Sequence, residues 1–148
     1  MDSKKAQADF QFVANRVSLF SLETKDIDTS GNPAKIDTDI DYNILSAEKE
    51  ENNFVGTVEF TAEIKAKVKK SILFKISLKM EGIFVGNPYV LTDESFRNML
   101  ELNGVATLSH LSRSFIMSTT TLAGINPPIR LPMVNIHKLK ELKKNISN

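Results

Sequence analysis

The sequence predicts an α+β fold in which a four-stranded antiparallel sheet is covered on one face by a long helix and a short C-terminal helix. In the first half of the chain, apolar and polar residues alternate with the period of two that is typical of strands. In the second half, apolar residues recur every three or four positions, which is typical of helices. Because no helical segment separates the alternating segments, we expect neighbouring strands to be antiparallel.

The first strand is predicted within the stretch 10–28, which carries apolar residues on both faces. In a regular strand Val17 and Leu19 share one face, whereas Phe20 and Leu22 share the other. Such a strand is either buried on both faces or placed in a subunit contact, or it exposes Phe20 and Leu22 for a ligand. The residues alone leave both interpretations open.

Three further strands follow a loop over 29–34, which is rich in turn residues. Because this loop is longer than a tight hairpin turn, the strands on either side of it need not be neighbours. The stretches 36–44, 58–68 and 72–81 alternate regularly and are joined by short connections, which predicts an antiparallel meander.

The polar faces of these strands are charged. Asp37, Asp39 and Asp41 are spaced about 7 Å apart along one strand face, so they do not converge as calcium ligands do. We interpret them as a solvated acidic face. On the next two strands, cross-strand charge pairs are predicted between two glutamates and two lysines, namely Glu59 and Glu63 with Lys75 and Lys79.

Two helices are predicted after the sheet. Thr92 or Asp93 can cap a short helix that runs through Leu102, and the pair Asn103-Gly104 predicts its end. A longer helix is predicted from about 105 to 123.

The longer helix has one apolar side and one side rich in hydroxyl groups. The apolar side, which we expect to face the sheet, consists of Val105, Leu108, Leu111, Phe115 and Leu122. The other side consists of Ser112, Ser114, Ser118, Thr119, Thr120 and Thr121. Because consecutive threonines are poor helix formers, we expect this side to pack closely against another surface, such as a helix of a second subunit.

The stretch 125–136 cannot be helical, because Pro127, Pro128 and Pro132 remove backbone donors and fix φ. We call this stretch the connector. It is apolar and extended, so its side chains either cap the core of the chain or line a groove for another molecule. After it, Asn135 can cap the last helix.

The composition indicates a single domain over residues 1–148, with flexible ends at 1–9 and at the basic segment 143–148. The absence of cysteine excludes disulfides and thiolate metal sites. Because we find no secretory signal and no apolar run near the about 18 residues that a membrane span needs, we expect a cytoplasmic protein without membrane insertion. The net charge of +1 and the lack of a basic block in the main body argue against nucleic acid as a partner.

No pattern in the sequence predicts an enzyme. His110 and His137 lie far apart in different predicted helices, so they do not form a metal-binding pair. We find neither a glycine-rich phosphate loop nor a nucleophile motif. We therefore expect no catalytic residue, no metal and no cofactor.

Several short patterns are shared with the SecB-type protein-export chaperones. They are Glu81-Gly-Ile-Phe84 at the exit of the sheet, Arg113 and Gly124 in the long helix, and Pro127, Leu131, Val134, Asn135 and Leu139 farther on. In order and spacing the chain resembles that family from about residue 10 to 142. The resemblance implies a homotetramer, a dimer of dimers, with long helices between two outward-facing sheets.

The resemblance also implies an ATP-independent chaperone, or holdase, whose clients are unfolded polypeptides such as preproteins. The family holds clients in grooves between the sheet edge, the loop after the first strand and the connector. Leu131 and Val134 match groove positions of the family. The rest of the predicted client-binding set is chosen for hydrophobicity and consists of Phe20, Leu22, Ile125, Ile129, Met133 and Ile136.

The family's contact with SecA uses an acidic sheet surface, which corresponds here to Asp37, Asp39, Asp41, Glu59 and Glu63. Neighbouring lysines dilute this acidity, and a lysine-rich end replaces the acidic tail of proteobacterial members. Two alternatives to an export role follow. One is a SecB-like chaperone dedicated to the antitoxin of a toxin–antitoxin pair, and the other is an oligomeric adaptor without chaperone activity.

Overall fold

The computed structural model describes residues 2–27 and 30–147, and it confirms the predicted fold class. Asp28 and Thr29, which the sequence assigns to the first strand's end and the following loop, lie outside the described residues. The strands are β1 (Phe10–Thr24), β2 (Lys35–Lys49), β3 (Phe54–Val68) and β4 (Ser71–Gly86), and the helices are α1 (Asp93–Met99), α2 (Val105–Leu122) and α3 (Ile136–Ser147).

The strands form one antiparallel sheet in the order β1-β4-β3-β2. The last three strands form the predicted meander. β1 pairs with β4, so the chain crosses from one edge of the sheet to the other between β1 and β2. The helices pack on one face of the sheet, here called the inner face, and the opposite face is called the outer face.

Irregular pairing of β1 changes which of its side chains share a face. The register with β4 shifts between Val17 and Leu19. Val17 therefore lies on the inner face opposite Met80, and Phe20 and Leu22 share that face. Leu19 lies on the outer face and is 43% exposed, so the described chain does not bury both faces of β1. The prediction that Val17 and Leu19 share a face is wrong, because the period-two pattern loses its phase at a bulge.

The register between β3 and β4 brings like charges together on the outer face. Glu59 lies opposite Glu81, and Lys65 lies opposite Lys75. The predicted glutamate–lysine pairs are therefore wrong, since the strands are offset from the register that those pairs need. Glu81 instead pairs with Arg16 of β1. The Nη2 atom of Arg16 lies 2.7 Å from the Oε2 atom of Glu81.

α1 and α2 belong to one long helix, residues 93–122, and are joined by a π-helical segment, Leu100–Gly104. The predicted helix end at Asn103-Gly104 is wrong. Gly104 keeps helical angles, with φ −64° and ψ −50°. A Cβ built there would lie 3.3 Å from Cγ2 of Val58, so the missing side chain serves close packing on the sheet and not termination.

Two helix starts are capped as the sequence predicts. Thr92 Oγ1 accepts a hydrogen bond from Ser95 N–H, and Ser95 Oγ accepts one from Thr92 N–H, which completes a capping box. At α3, Asn135 Oδ1 accepts a hydrogen bond from Lys138 N–H at 3.0 Å. α3 then continues to Ser147, through most of the segment predicted as a flexible basic end.

Three glycines of the sheet lie where side chains of the long helix pack. A Cβ built at each of them would lie 2.5–2.7 Å from a helix carbon atom, which is shorter than van der Waals contact. A side chain there would displace closely packed helix residues. We call these positions the glycine contacts, and they are Gly56 against Leu100, Gly82 against Leu108 and Gly86 against Phe96.

The buried side of α2 contains two hydroxyl residues that the sequence assigned to the opposite side. Its buried positions are Val105, Leu108, Ser112, Ile116 and Thr120. Leu122, predicted to face the sheet, is 87% exposed, because it follows Thr120 by two positions and therefore points away from that row. The predicted sides are thus wrong at Leu122, Ser112 and Thr120. No helix in the described part of the chain is long and apolar enough to cross a membrane.

Replacing Gly56 by alanine should lower the free energy of unfolding by about 1–3 kcal/mol, because the added methyl group overlaps buried Leu100. Thr57→Ala is the matched control, since Thr57 is the next residue on the same strand and faces outward. Urea denaturation of both variants measures the effect. Equal stability of Gly56→Ala and the parent protein would contradict the close contact.

Candidate functional site

The connector divides its apolar residues between the core and the surface. It follows Gly124, whose φ of +81° is a left-handed conformation that glycine adopts readily at a helix end. Ile129 and Leu131 are buried, with Leu131 only 2% exposed, whereas Met133 is 70% exposed. Of the two predicted roles for the connector, capping the core therefore applies to Ile129 and Leu131, and Leu131 is not available at the surface.

Buried Thr120 holds the connector to the end of α2. Its Oγ1 accepts a hydrogen bond from the backbone N–H of Ile129 at 3.0 Å and donates one to the carbonyl of Ile116 at 2.7 Å. Because Ile129 is itself buried, this bond satisfies a donor that water does not reach. The surface that packs against Thr120 is thus the chain's own connector.

A largely apolar groove of about 430 Å³ lies beside this anchored segment. Its walls come from four parts of the chain, namely the end of β1 with the residues after it, the start of β2, the start of β4 and the first half of the connector. The lining residues are 24–27, 34, 36, 73, 74, 124–127 and 129. The groove therefore lies between the residues that follow the first strand and the connector, the position that the family resemblance implies for clients.

The predicted client-binding residues lie in different surroundings. Ile125 and Ile129 line the groove. Phe20 lies on β1, where its ring and that of Phe115 pack edge to face with centroids 5.0 Å apart. The remaining members are on β1, in the second half of the connector and at the start of α3: Leu22, Val134 and Ile136 are half-buried, Leu131 is buried and Met133 is exposed.

The sequence missed groove residues that lie at strand ends. Ile36 is 50% exposed and lines the groove, although its alternation placed it on the buried face of β2. Leu73 and Phe74 also line it. Alternation shows which face a side chain occupies, but not where the helix stops covering that face, so no sequence signal marks these residues.

Most of the predicted acidic residues line one shallow cavity of about 450 Å³ on the outer face. These are Asp39, Asp41, Glu59 and Glu63, with Lys79 and Leu19 beside them. Asp39 lies directly opposite Glu63, so like charges face each other. Asp37 lies apart from this cavity and opposite Lys65.

Helix α3 reaches this acidic surface around the edge of the sheet. Lys143 Nζ lies 2.8 Å from Asp41 Oδ1 and 5.0 Å from the centre of the Tyr42 ring. Lys140 Nζ lies 3.7 Å from Glu101 Oε2, which also accepts a hydrogen bond from the Tyr42 hydroxyl at 3.1 Å. Burial, with the charge of Glu101, raises the pKa of Tyr42 above its usual value.

The fold resembles that of a SecB-like chaperone of Mycobacterium tuberculosis, solved in complex with a peptide from an antitoxin. The TM-score is 0.63, the sequence identity is 12%, and the match covers 86% of this chain and 91% of that one. The predicted SecB-like fold is thereby confirmed. A protein of unknown function from Streptococcus agalactiae matches with a TM-score of 0.48 and 11% identity, over 83% of this chain and 96% of that one.

An uncharacterized protein of Methanocaldococcus jannaschii is 33% identical over 101 residues, which make up 68% of this chain and 60% of that relative. The chain thus spans less than two thirds of the length of this relative. No protein-family model matches the sequence.

Replacing Thr120 by valine should lower the free energy of unfolding by about 1–3 kcal/mol, because the Ile129 N–H loses its acceptor in a buried place. Thr121→Val is the matched control, since the exposed Thr121 hydroxyl makes the same kind of bond, to the Met117 carbonyl at 2.7 Å. Urea denaturation and amide hydrogen exchange at Ile129 measure the change. Similar effects of the two substitutions would show that Thr120 does not anchor the connector.

The raised pKa of Tyr42 predicts a loss of stability at high pH. Above about pH 10 the unfolded chain releases this proton first, so the folded state binds more protons and the free energy of unfolding falls as pH rises. In Tyr42→Phe this decline should be shallower. Urea denaturation of both proteins at a series of pH values on either side of about pH 10 gives the slope of the free energy of unfolding against pH. Equal slopes for the two proteins would rule out a contribution of Tyr42.

Proposed function

We propose that this protein is an ATP-independent chaperone that holds unfolded polypeptide segments in the groove beside the connector. The observation that supports this most directly is the groove itself, an open and largely apolar channel with walls formed by three strand ends and an extended segment. Its position agrees with the site implied by the SecB resemblance, and the overall fold is SecB-like.

The physical basis of holding is the burial of apolar side chains of the client. Burying one such side chain contributes about 1.5–3 kcal/mol, so a segment that places a few of them in the groove gains useful affinity after the losses of ordering. A protein that binds only the unfolded chain shifts the folding equilibrium of the client by mass action. This mechanism needs no nucleotide.

A second candidate function is the protection of an antitoxin. It rests on one observation, that the matched SecB-like chaperone was solved with an antitoxin peptide. In this case the client is a particular protein, and the chaperone should bind one segment tightly and unrelated unfolded chains weakly. A chaperone for preproteins would show the opposite pattern and bind many unfolded sequences with similar affinities.

The proposed assembly is a homotetramer, with α2 in the subunit contacts. Ser114, Ser118 and Thr121 are exposed on α2, as is Leu122. A helix with small side chains on its outer side can approach a second helix closely. Docking of SecA at the acidic outer face stays a prediction, and Lys143 already neutralises part of that surface through Asp41.

The experiment that tests the holdase combines light-scattering mass with suppression of aggregation of an unfolded client. Ile36→Ser with Ile125→Ser should weaken client binding by about fivefold or more, because both residues lose apolar contact in the groove. The control is Ile146→Ser, an exposed isoleucine on α3 away from the groove.

The parent protein and the control should form a heavier complex with the client and slow its aggregation equally well. The double variant should fold and assemble normally by circular dichroism and light scattering, yet protect poorly. If the parent protein neither binds nor protects any unfolded chain, the holdase proposal fails and the oligomeric adaptor is the better description.

A further inference from the structure

Lysines from separate parts of the sequence gather at the end of the sheet that bears the groove. Lys25 lines the groove, and Lys35 lies between the lining residues Ala34 and Ile36. Lys69 and Lys70 form the turn that leads into lining residues Leu73 and Phe74. We call Lys25, Lys69 and Lys70 the lysine rim. Lys35, Lys67 and Lys75 lie at the same end of the sheet but on its outer face.

The lysine rim forms no ion pair among the described residues. The ion pairs among the described residues are Arg16–Glu81, Arg97–Asp93, Lys140–Glu101 and Lys143–Asp41, and none of them involves the rim. Lys67, on the outer face, instead lies in a cavity with Asp37, Asp39 and Glu63.

Acidic residues at this end are fewer than the lysines. Asp26 lines the groove beside Lys25, Glu23 lies opposite Lys75, and Asp37 follows Ile36. Asp28 is also close in sequence but lies outside the described residues. The main acidic cavity is on the outer face, lined by Asp39, Asp41 and their neighbours, so the groove keeps a positive border.

We propose that the groove selects apolar client segments that are flanked by aspartate or glutamate. This inference rests on the proposed holdase function and names the client class of the same groove. Apolar side chains of the client fill the channel, and its flanking carboxylates lie near the lysine rim at the mouth. Opposite charges across such a border add specificity and speed association, whereas basic flanks are repelled.

Nucleic acid is a different partner that lysines can attract. The structure favours a polypeptide, because the groove is lined mainly by aliphatic and proline side chains and Phe74 is its single aromatic lining residue among those described. Binding of single-stranded nucleic acid depends on several aromatic side chains on which bases stack. A single-stranded DNA probe is therefore included in the test.

The test measures fluorescence anisotropy of labelled peptides with the 148-residue chain. All peptides share one apolar core, and their flanks consist of aspartate, serine or lysine. At about 0.1 M salt, where charges interact over about 10 Å, the aspartate peptide should bind roughly tenfold more tightly than the serine peptide, and the lysine peptide more weakly than both. At about 1 M salt the three affinities should converge, because the screening length falls to about 3 Å.

A charge-reversal variant locates the effect. Lys69→Glu with Lys70→Glu should remove or invert the preference and leave binding of the serine peptide unchanged, because neither residue lines the groove. The matched control is Lys49→Glu with Lys138→Glu, which changes the net charge equally at exposed sites. Lys49 lies at the opposite end of β2 from Lys35, about 45 Å away along the strand.

The outcomes separate this inference from the proposed function. If the serine peptide binds but flank charge has no effect, or the lysine peptide binds best, the inference is overturned and the holdase stands. If no peptide binds, including the serine peptide, both fail. Tight binding of the DNA probe that the Lys69 and Lys70 reversals abolish would overturn the inference in favour of nucleic acid.

Discussion

The close contact between the long helix and the sheet determines where the groove lies. At the glycine contacts, Leu100, Leu108 and Phe96 of the helix occupy space that any other residue of the sheet would fill. The helix is therefore fixed over β3 and β4, and it leaves the start of β2 uncovered. The groove exists because the sheet extends beyond this cover and the connector bridges only part of the gap.

Much of the fold follows from local sequence patterns, but three features do not. The strands, the helix caps and the order of elements are visible in alternation, spacing and capping residues. The face on which Val17 lies cannot be read from the alternation, because a bulge shifts the phase of β1. The role of Gly104 cannot be read from the sequence either, because a glycine can end a helix or allow close packing. The buried side of α2 is likewise hidden in the sequence, because Thr120 bonds to Ile129 only when the connector has folded back.

The candidate site was predictable only where its residues belong to one continuous segment. The connector is unusual in sequence, and its Ile125 and Ile129 were identified as candidate contacts and do line the groove. Ile36, Leu73 and Phe74 look like ordinary strand residues, and the lysine rim is assembled from separate positions between 25 and 70. The net charge of +1 does not reveal that the lysines of the rim and the acidic residues lie in different places. The acidic residues gather on the outer face.

The anchoring of the connector has a consequence for the proposed binding of clients in the groove. Because Ile129 and Leu131 are buried and the Ile129 N–H bonds to Thr120, one wall is held in place before any client arrives. A preformed wall reduces the entropy lost on binding, which favours affinity for short apolar segments. Exposed Met133, in contrast, has a flexible side chain that adapts to different partners. A rigid groove with an adaptable neighbour suits a protein that recognises apolar character together with charge and does not require one fixed sequence.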